Sequence, residues 1–545
     1  MSASHKKQLR KEQNAAQMTE KQREAQAEAK KLRLYTAAFV VVIVALVAFA
    51  AITAVTNSGM IERGTTAVTV DDTKVSAVEL NYYYIDSINS YLEQWGDYIA
   101  LTGLDTTKAL DEQFVDTDQT TTWADYFLDQ ATANIHTVYS IYNEAVAAGY
   151  TLSDADALSI ESNISTTELY AMYYYGYADL DSYLVAMYGA GANEETYRAY
   201  AEVQYVASAY ANDHYDSLTY TDEQLAAALA EDPKAYTYYS YNYFYVAASD
   251  FLKGGTVGED GSVTYTNEEK DAAVNAAKEA AESLLSQNIT TDVLLDKAIN
   301  ALNIKENAAS TAIKNYYSSS VSTVMRDWVT ADERQAGDLT VIPYETTTTD
   351  ADGNETTVTN GYYVVLFNEA NDNDYLMNNV RHLLVAFTGG TTENGTTTYS
   401  DEEKAKAKSE AENLLAQYLD GEKTEEAFTA LLREHTDDIG SDGTANNDGL
   451  YENIHLTSGY VENFLNWAND ASRTVGETGI IETEYGYHIM YYVGKSEQTY
   501  LDSMITSTLR DEDMTAWESD LMEASTMTVK NTGKVKTDLK LSSGT

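Results

Sequence analysis

The 545-residue chain is long enough for several separately packed domains, and a content of 44% hydrophobic and 22% charged residues is that of folded protein. Cysteine is absent, which excludes disulfides, thiolate metal sites, cysteine nucleophiles and an N-terminal lipid-modified cysteine. The formal net charge is −51, yet residues 1–33 hold nine Lys/Arg against four Glu, leaving 26 of the 35 basic and 82 of the 86 acidic residues beyond position 33, a net of −56; such a surface excludes nucleic acid and anionic lipid headgroups as partners of the main body.

Residues 1–33, rich in Lys, Gln, Glu and Ala, read as a solvated, partly helical tail. From Leu34 to Thr56 no residue is charged, and about 20 residues of helix cross a bilayer core. The basic block precedes this run, so the positive-inside rule places 1–33 in the cytoplasm and exports everything beyond about residue 57. The expectation is a single-pass membrane protein with a transmembrane anchor at 34–56. The competing reading is a cleaved signal peptide ending near Ala48-Phe49-Ala50; the run exceeds the usual h-region of roughly 7–15 residues, which favours the anchor.

Past the anchor, Val68-Thr69-Val70 and the turn Asp71-Asp72 read as a short strand. A helix with Tyr84, Ile88, Tyr91, Leu92 and Trp95 on one face follows, then a second from about 123 to 148, stopped by Gly149. Further helices are expected near 153–175, 179–188, 193–214 and 221–231, which makes 57–235 a mostly helical domain. Its many tyrosines, as in Tyr173-Tyr174-Tyr175, are packing residues or the lining of a cradle for extended peptides.

The chain then repeats itself. Trp328 is followed by Arg334 and Gly337 at the spacing with which Trp467 is followed by Arg473 and Gly476. Thr266 with Glu269 and Ser400 with Glu403 each form a capping box. Val246-Ala247 matches Val385-Ala386, and Gly361-Tyr362-Tyr363 matches Gly486-Tyr487-His488. Two copies of one α/β unit follow, at about 236–374 and 375–497. In the second, the pattern predicts a strand at 380–387, helices at 401–419 and 425–434, an Asp/Gly loop at 437–448, a short strand at Leu450, a helix near 461–467 and strands at 479–483 and 487–493. That order describes a small antiparallel sheet with helices packed on it. The run Asp350-Ala351-Asp352-Gly353-Asn354 lacks the glycine a calcium loop needs in sixth place and reads as a strand connection.

Three segments of the second copy, Val380-Arg381-His382-Leu383-Leu384-Val385, His435-Thr436-Asp437-Asp438 and Gly479 to Ile489, resemble, in this order, the parvulin family of peptidyl-prolyl isomerases. The flanking regions are similar to membrane-attached foldases of Gram-positive bacteria, in which a helical chaperone domain of SurA-like type, built from both ends of the exported chain, flanks the isomerase. The resemblance implies an α+β protein: a transmembrane helix, a helical chaperone domain at 57–235 completed by 498–545, a degenerate parvulin-like unit and an active one. It implies that His382 and His488 are the paired histidines of the site, that Asp438 stands beside the substrate, and that Thr483 joins the polar network behind. Leu450, Tyr460 and Phe464 correspond to the apolar wall for the proline ring, Tyr460 replacing the flexible apolar residue usual there. In the first copy Tyr243 and Tyr363 stand where the histidines would be, so that copy is expected to be inactive.

The chemistry asks for these residue types. Rotation about an X–Pro bond meets a barrier of roughly 18–20 kcal/mol and breaks no bond. Neither nucleophile nor cofactor is needed, only a slot that grips the ring and polar groups that favour the twisted amide. Metal ligation by His382, His488 and Asp438 has no supporting spacing motif. The expected function is a prolyl isomerase and foldase for unfolded or newly exported polypeptides containing X–Pro bonds; the alternative is a non-catalytic, peptide-binding chaperone.

Overall fold

The computed structural model describes residues 2–16, 30–31, 36–49, 53, 58–349, 355–393, 395–441, 443–533, 535 and 541. Within 34–56, residues 36–49 are helical with exposed apolar side chains such as Phe39, Val41 and Phe49. Among the described residues no helix is long and apolar enough to cross a membrane. Most of the remaining expected anchor lies outside the described residues, as do the whole run 350–354 and much of the basic tail.

The chain divides into two compact units, 1–218 with 512–545, and 219–511. The first unit is mostly helical. Ser76 caps the helix Ala77–Trp95 by accepting the Glu79 N–H, and Thr122 with Asp125 forms a capping box for Trp123–Ala147. Both helices bury one face, Leu80, Tyr84 and Ile88 against Trp123, Phe127 and Ile135. Val68, Val70 and Val75 join this core from a three-stranded sheet in the order Met527–Val529, Thr66–Val70, Thr73–Ser76. The outer strand thus comes from the far end of the chain, with Val68 opposite Val529 and Val70 opposite Met527.

The second unit holds two four-stranded antiparallel sheets of identical order. In one, Thr311–Tyr317, Tyr238–Ala247, Glu355–Asn371 and Leu339–Thr349 lie side by side; in the other, Leu450–Ile454, Leu376–Ala386, Gly486–Thr499 and Thr478–Glu482. The repeated Trp, Arg and Gly have a local cause. The Arg334 guanidinium lies 4.8 Å over the Trp328 ring and that of Arg473 4.4 Å over Trp467. Gly337 and Gly476 take φ of 91° and 84°, a turn that other residues resist. Both capping boxes form, at Thr266/Glu269 and Ser400/Glu403.

Two boundaries differ from the sequence expectation. The helix Asp222–Glu231 belongs to the second unit, because Leu225, Ala228 and Leu229 pack on Tyr236, Leu501 and Ile505. The helix Tyr500–Ala524 gives its first half to the second unit and its remainder to the first, so residues 498–511 do not join the helical unit.

Alternation along the strands of the second sheet sorts its side chains. Leu383, Val385, Ile489 and Tyr491 face the helices Asp401–Asp420 and Glu425–His435, with Ala411, Phe428 and Leu432 completing that core. Val380, Met490 and Tyr492 face the other way, where the short helix Glu462–Ala468 covers part of the sheet with Phe464 and Trp467. The uncovered remainder of that face is the candidate site.

Candidate active site

His382 and His488 sit on adjacent central strands. The register sets Met490 opposite His382 and Leu384 opposite His488, so the two histidines are diagonal neighbours on one face. Their rings lie 5.0 Å apart, both are buried, and Nδ1 of one is 3.0 Å from Nδ1 of the other.

Asp438 reaches them from the loop after Glu425–His435. That loop docks on the end of the Leu376–Ala386 strand: Thr436 Oγ1 accepts the Leu384 N–H, the Asp437 N–H donates to Leu384 O, and the Asp437 carboxylate accepts the Ala386 N–H. The far side of the loop is held by Arg381, whose guanidinium donates to Glu425 at 2.8 Å and to Asp448 O at 2.7 Å. Asp438 Oδ2 then lies 3.2 Å from His382 Nε2 and accepts the Tyr451 hydroxyl at 2.9 Å. The contact with His382 lowers the Asp438 carboxyl below its ordinary range. At the other end Thr483 Oγ1 lies 2.9 Å from His488 Nε2 and accepts the Tyr485 N–H at 3.2 Å.

An ionised Asp438 accepts from both neighbours, so His382 carries hydrogen on Nε2. Thr483, His488, His382 and Asp438 form one hydrogen-bonded chain ending on a carboxylate. Burial, with His382 next, pushes His488 down to about 3, which keeps that ring neutral.

Over this chain opens a cavity of about 370 Å³ lined by His382, Asp438, Tyr451, Tyr460, Phe464 and His488, with Leu384, Gly459, Val461 and Tyr485 at its edges. The Tyr460 ring lies 5.2 Å from Phe464 and 5.5 Å from Tyr451, which makes an aromatic wall on one side and polar groups on the other. Among the described residues no group of three or more His, Asp or Glu is placed to hold a metal ion.

Of the residues read from the sequence, His382, His488, Asp438, Tyr460 and Phe464 line the cavity, and Thr483 lies behind it. Leu450 does not. It stands opposite Arg381 and shares the helix-covered face, whereas Tyr451, one residue on, stands opposite Val380 and points into the site. Tyr451 and Tyr485 are the residues that sequence reasoning missed; in so short a strand the alternation leaves the face of Leu450 and Tyr451 open, and Tyr485 lies in a turn without periodicity.

In the first repeat the same register sets Val365 opposite Tyr243 and Tyr363 opposite Tyr245. Tyr243 and Tyr363 therefore occupy the histidine positions, with rings 5.8 Å apart. Ile313 holds the position of Tyr451, and the connection 302–310 is shorter than the 436–449 loop that carries Asp438.

Residues 363–495 match the family model of the PPIC-type PPIASE domain. No curated protein is significantly similar to the chain. Among solved structures, the 1.70 Å crystal structure of peptidylprolyl isomerase (PrsA) from Bacillus anthracis is 18% identical, with a TM-score of 0.17; the match covers 28% of this chain and 59% of that one, and no conclusion rests on it. The motifs, the paired histidines over an aromatic cavity and the family model agree: the chain carries a parvulin-type peptidyl-prolyl isomerase domain.

Proposed function

We propose that this chain is a peptidyl-prolyl cis–trans isomerase and foldase for newly exported polypeptides, held at the outer face of the cytoplasmic membrane by residues 34–56. The observation that carries the catalytic reading is the hydrogen-bonded chain Thr483–His488–His382–Asp438 at the floor of an aromatic cavity. Phe464, Tyr451 and Tyr460 grip the proline ring. The ionised Asp438 disfavours the carbonyl oxygen of the planar amide beside it, and its contact with His382 fixes where that charge stands. Both effects favour the twisted amide over the ground state. No bond is broken, so the roles of His382, His488, Asp438 and Thr483 are positional and electrostatic.

A holding role for the helical unit is supported by its exposed rings at the end of the helix Asp154–Tyr173: Tyr173 and Tyr174 are 80% and 75% exposed, beside Tyr170, Met172 and Tyr175. Export and anchoring are supported by the basic block that precedes the uncharged run.

Exchange spectroscopy of an X–Pro peptide with the full chain tests the catalytic reading. Faster cis–trans exchange, lost in Asp438→Ala, is the expected result. Peptide binding without faster exchange would leave a non-catalytic chaperone. Protease added outside intact cells tests the topology: digestion of the mass beyond residue 57 is expected, and its protection would refute export.

A further inference from the structure

We propose that the histidine-free first repeat and the helix after the second repeat position the apolar wall of the isomerase cavity, acting through the segment 455–461. The proposal rests on reading that cavity as a prolyl-isomerase site.

The cavity has two sides held in different ways. Its polar floor is fixed from within the second repeat, by the sheet and by the loop that Arg381 and Thr436 pin down. Its opposite wall takes Gly459, Tyr460 and Val461 from a segment without helix or strand, between Leu450–Ile454 and Glu462–Ala468. The internal bonds of this segment are local: the His455 N–H donates to Ser458 Oγ, the Ser458 N–H to His455 O, His455 Nδ1 meets Thr457 Oγ1 at 3.0 Å, and the Tyr460 N–H donates to Ser458 O.

Its C-terminal end packs within the second repeat, Tyr460 on Tyr451 and Phe464, and Val461 on the core beside Phe464; its N-terminal end is anchored by tyrosines from outside the second sheet. Tyr500, which opens the helix after that sheet, stacks on His455 with ring centroids 3.9 Å apart and planes within 10°. The Leu456 N–H donates to the Tyr375 hydroxyl at 3.2 Å. Tyr238, on the central strand of the first repeat, meets the Tyr500 hydroxyl at 2.9 Å, and both hydroxyls are within 3.5 Å of Thr457 Oγ1. Tyr238 in turn donates to Tyr317 of the neighbouring strand at 2.9 Å.

This clasp stands on a fixed base. Tyr238, Met377 and Tyr500 form a small buried cluster with Tyr375 and Met504. The junction between the repeats is tied by Asn373, fully buried, whose side-chain amide donates to Tyr236 O while its carbonyl accepts the Leu501 N–H. A chain of tyrosine hydroxyls therefore runs from the first repeat to the segment that grips the substrate ring. Having lost its own histidines, the first repeat serves the second as a support, and Tyr238, Tyr375 and Tyr500 are positioning residues.

Because the clasp acts on the wall and not on the floor, loosening it should weaken substrate binding and spare the chemical step. The test uses the full chain with Tyr238, Tyr375 and Tyr500 all changed to Phe, which keeps every ring, and separately Thr457→Val, which removes the segment's hydroxyl from the clasp together with its contact to His455. With an X–Pro peptide the triple variant should raise KM about fivefold, the scale of one lost hydrogen bond. The value of kcat should hold within about twofold and the pH profile should not move. Thr457→Val should shift KM in the same direction. An unchanged KM in an active protein would overturn the proposal, as would a parallel loss of kcat, since that marks the tyrosines as merely structural. An inactive wild-type chain would instead defeat the isomerase reading on which the proposal stands.

Discussion

Nδ1 of His488 lies 3.0 Å from Nδ1 of His382, and only one of them can hold the hydrogen between them. The Asp438 carboxylate holds a hydrogen on His382 Nε2. The His488 pKa is depressed from 6.5 to about 3. Stability from the neutral ring is therefore complete above about pH 6.5 and is withdrawn as pH falls toward 3, and the lowered Asp438 adds loss in the same direction. His488 should therefore add no limb to the isomerase rate profile between pH 8 and about 5. An NMR titration in which the His488 ring takes up its proton at pH 6–7 would overturn this.

The helical unit should respond to pH with the opposite sign. Glu79 is buried beneath the Tyr139 hydroxyl, which donates to it, and burial raises its carboxyl from 4.5 to about 7. Tyr83 also faces it, and Asp86, likewise raised by burial, lies further along the same helix and accepts from Tyr200. A raised carboxyl contributes stability below its unfolded value that is lost as pH rises through about 7, at most about 3 kcal/mol for a shift of this size. Calorimetry should show the melting of the 1–218 unit rising from pH 8 to pH 5. Glu79→Gln, which still accepts from Tyr139, should raise melting at pH 8 and flatten that dependence.

Restoring histidines to the first repeat should not restore activity. Tyr243→His with Tyr363→His rebuilds the pair, but Ile313 stands in the place of Tyr451, and the only carboxylate of the shorter 302–310 connection is the exposed Glu306. With His488→Tyr silencing the second copy, the doubly substituted first copy should leave exchange of an X–Pro peptide at the uncatalysed rate. Catalysis by that protein would show that the carboxylate is dispensable.

The parts of this architecture legible in the sequence are those written in short-range chemistry. Each Trp–Arg pair is a ring and a cation six residues apart, closed by a glycine with positive φ, so its spacing survives in both copies. The histidines were legible through the family resemblance of the motifs that carry them, and the long central strands set both on one face. Tyr451 was not, since a slip of one residue in a five-residue strand exchanges it with Leu450. The partners of the helix Tyr500–Ala524 were also hidden. Its apolar spacing, Leu501, Met504, Ile505 and Leu509, states that one face is buried and is silent on which helix buries it.

The exposed rings after the helix Asp154–Tyr173 set a test for client holding. Between residues 58 and 218 acidic residues number 26 against four Lys/Arg, so the patch stands in a negative field that favours basic, apolar segments. Tyr173→Ser with Tyr174→Ser and Tyr175→Ser removes this exposed apolar area together with the stacking of Tyr174 on Tyr170 and of Tyr175 on Tyr183, so the melting temperature should fall only slightly. Aggregation of a denatured cationic protein should be suppressed less well by this variant, and isomerase kinetics should not move. Added salt should weaken holding of the cationic client by the wild-type chain. Equal suppression by wild type and variant would place client binding elsewhere.

The last strand of the chain should be required by the first unit and not by the second. Met527–Val529 pairs with Thr66–Val70, and Lys530 donates its N–H to Ala67 O beyond the paired residues. Just before it, Ser525 Oγ meets His136 Nε2 at 2.7 Å and Ser140 Oγ at 2.8 Å, and the Thr526 N–H donates to Asp71 at 2.8 Å. Removing residues 525–545 would turn Thr66–Val70 from a central strand into an edge, expose backbone donors beside the buried Val68 and Val70, and leave a two-stranded hairpin of the kind that is marginal on its own. No residue of this tail belongs to the 219–511 unit. The truncated chain should therefore lose several degrees in the melting of the helical unit and fail to hold an unfolded client, while exchange of an X–Pro peptide continues at the wild-type rate. Two unchanged melting transitions would make the tail a dispensable appendage. A loss of isomerase activity would mean that the second unit depends on a strand it does not contain, and would refute the independence on which this prediction stands.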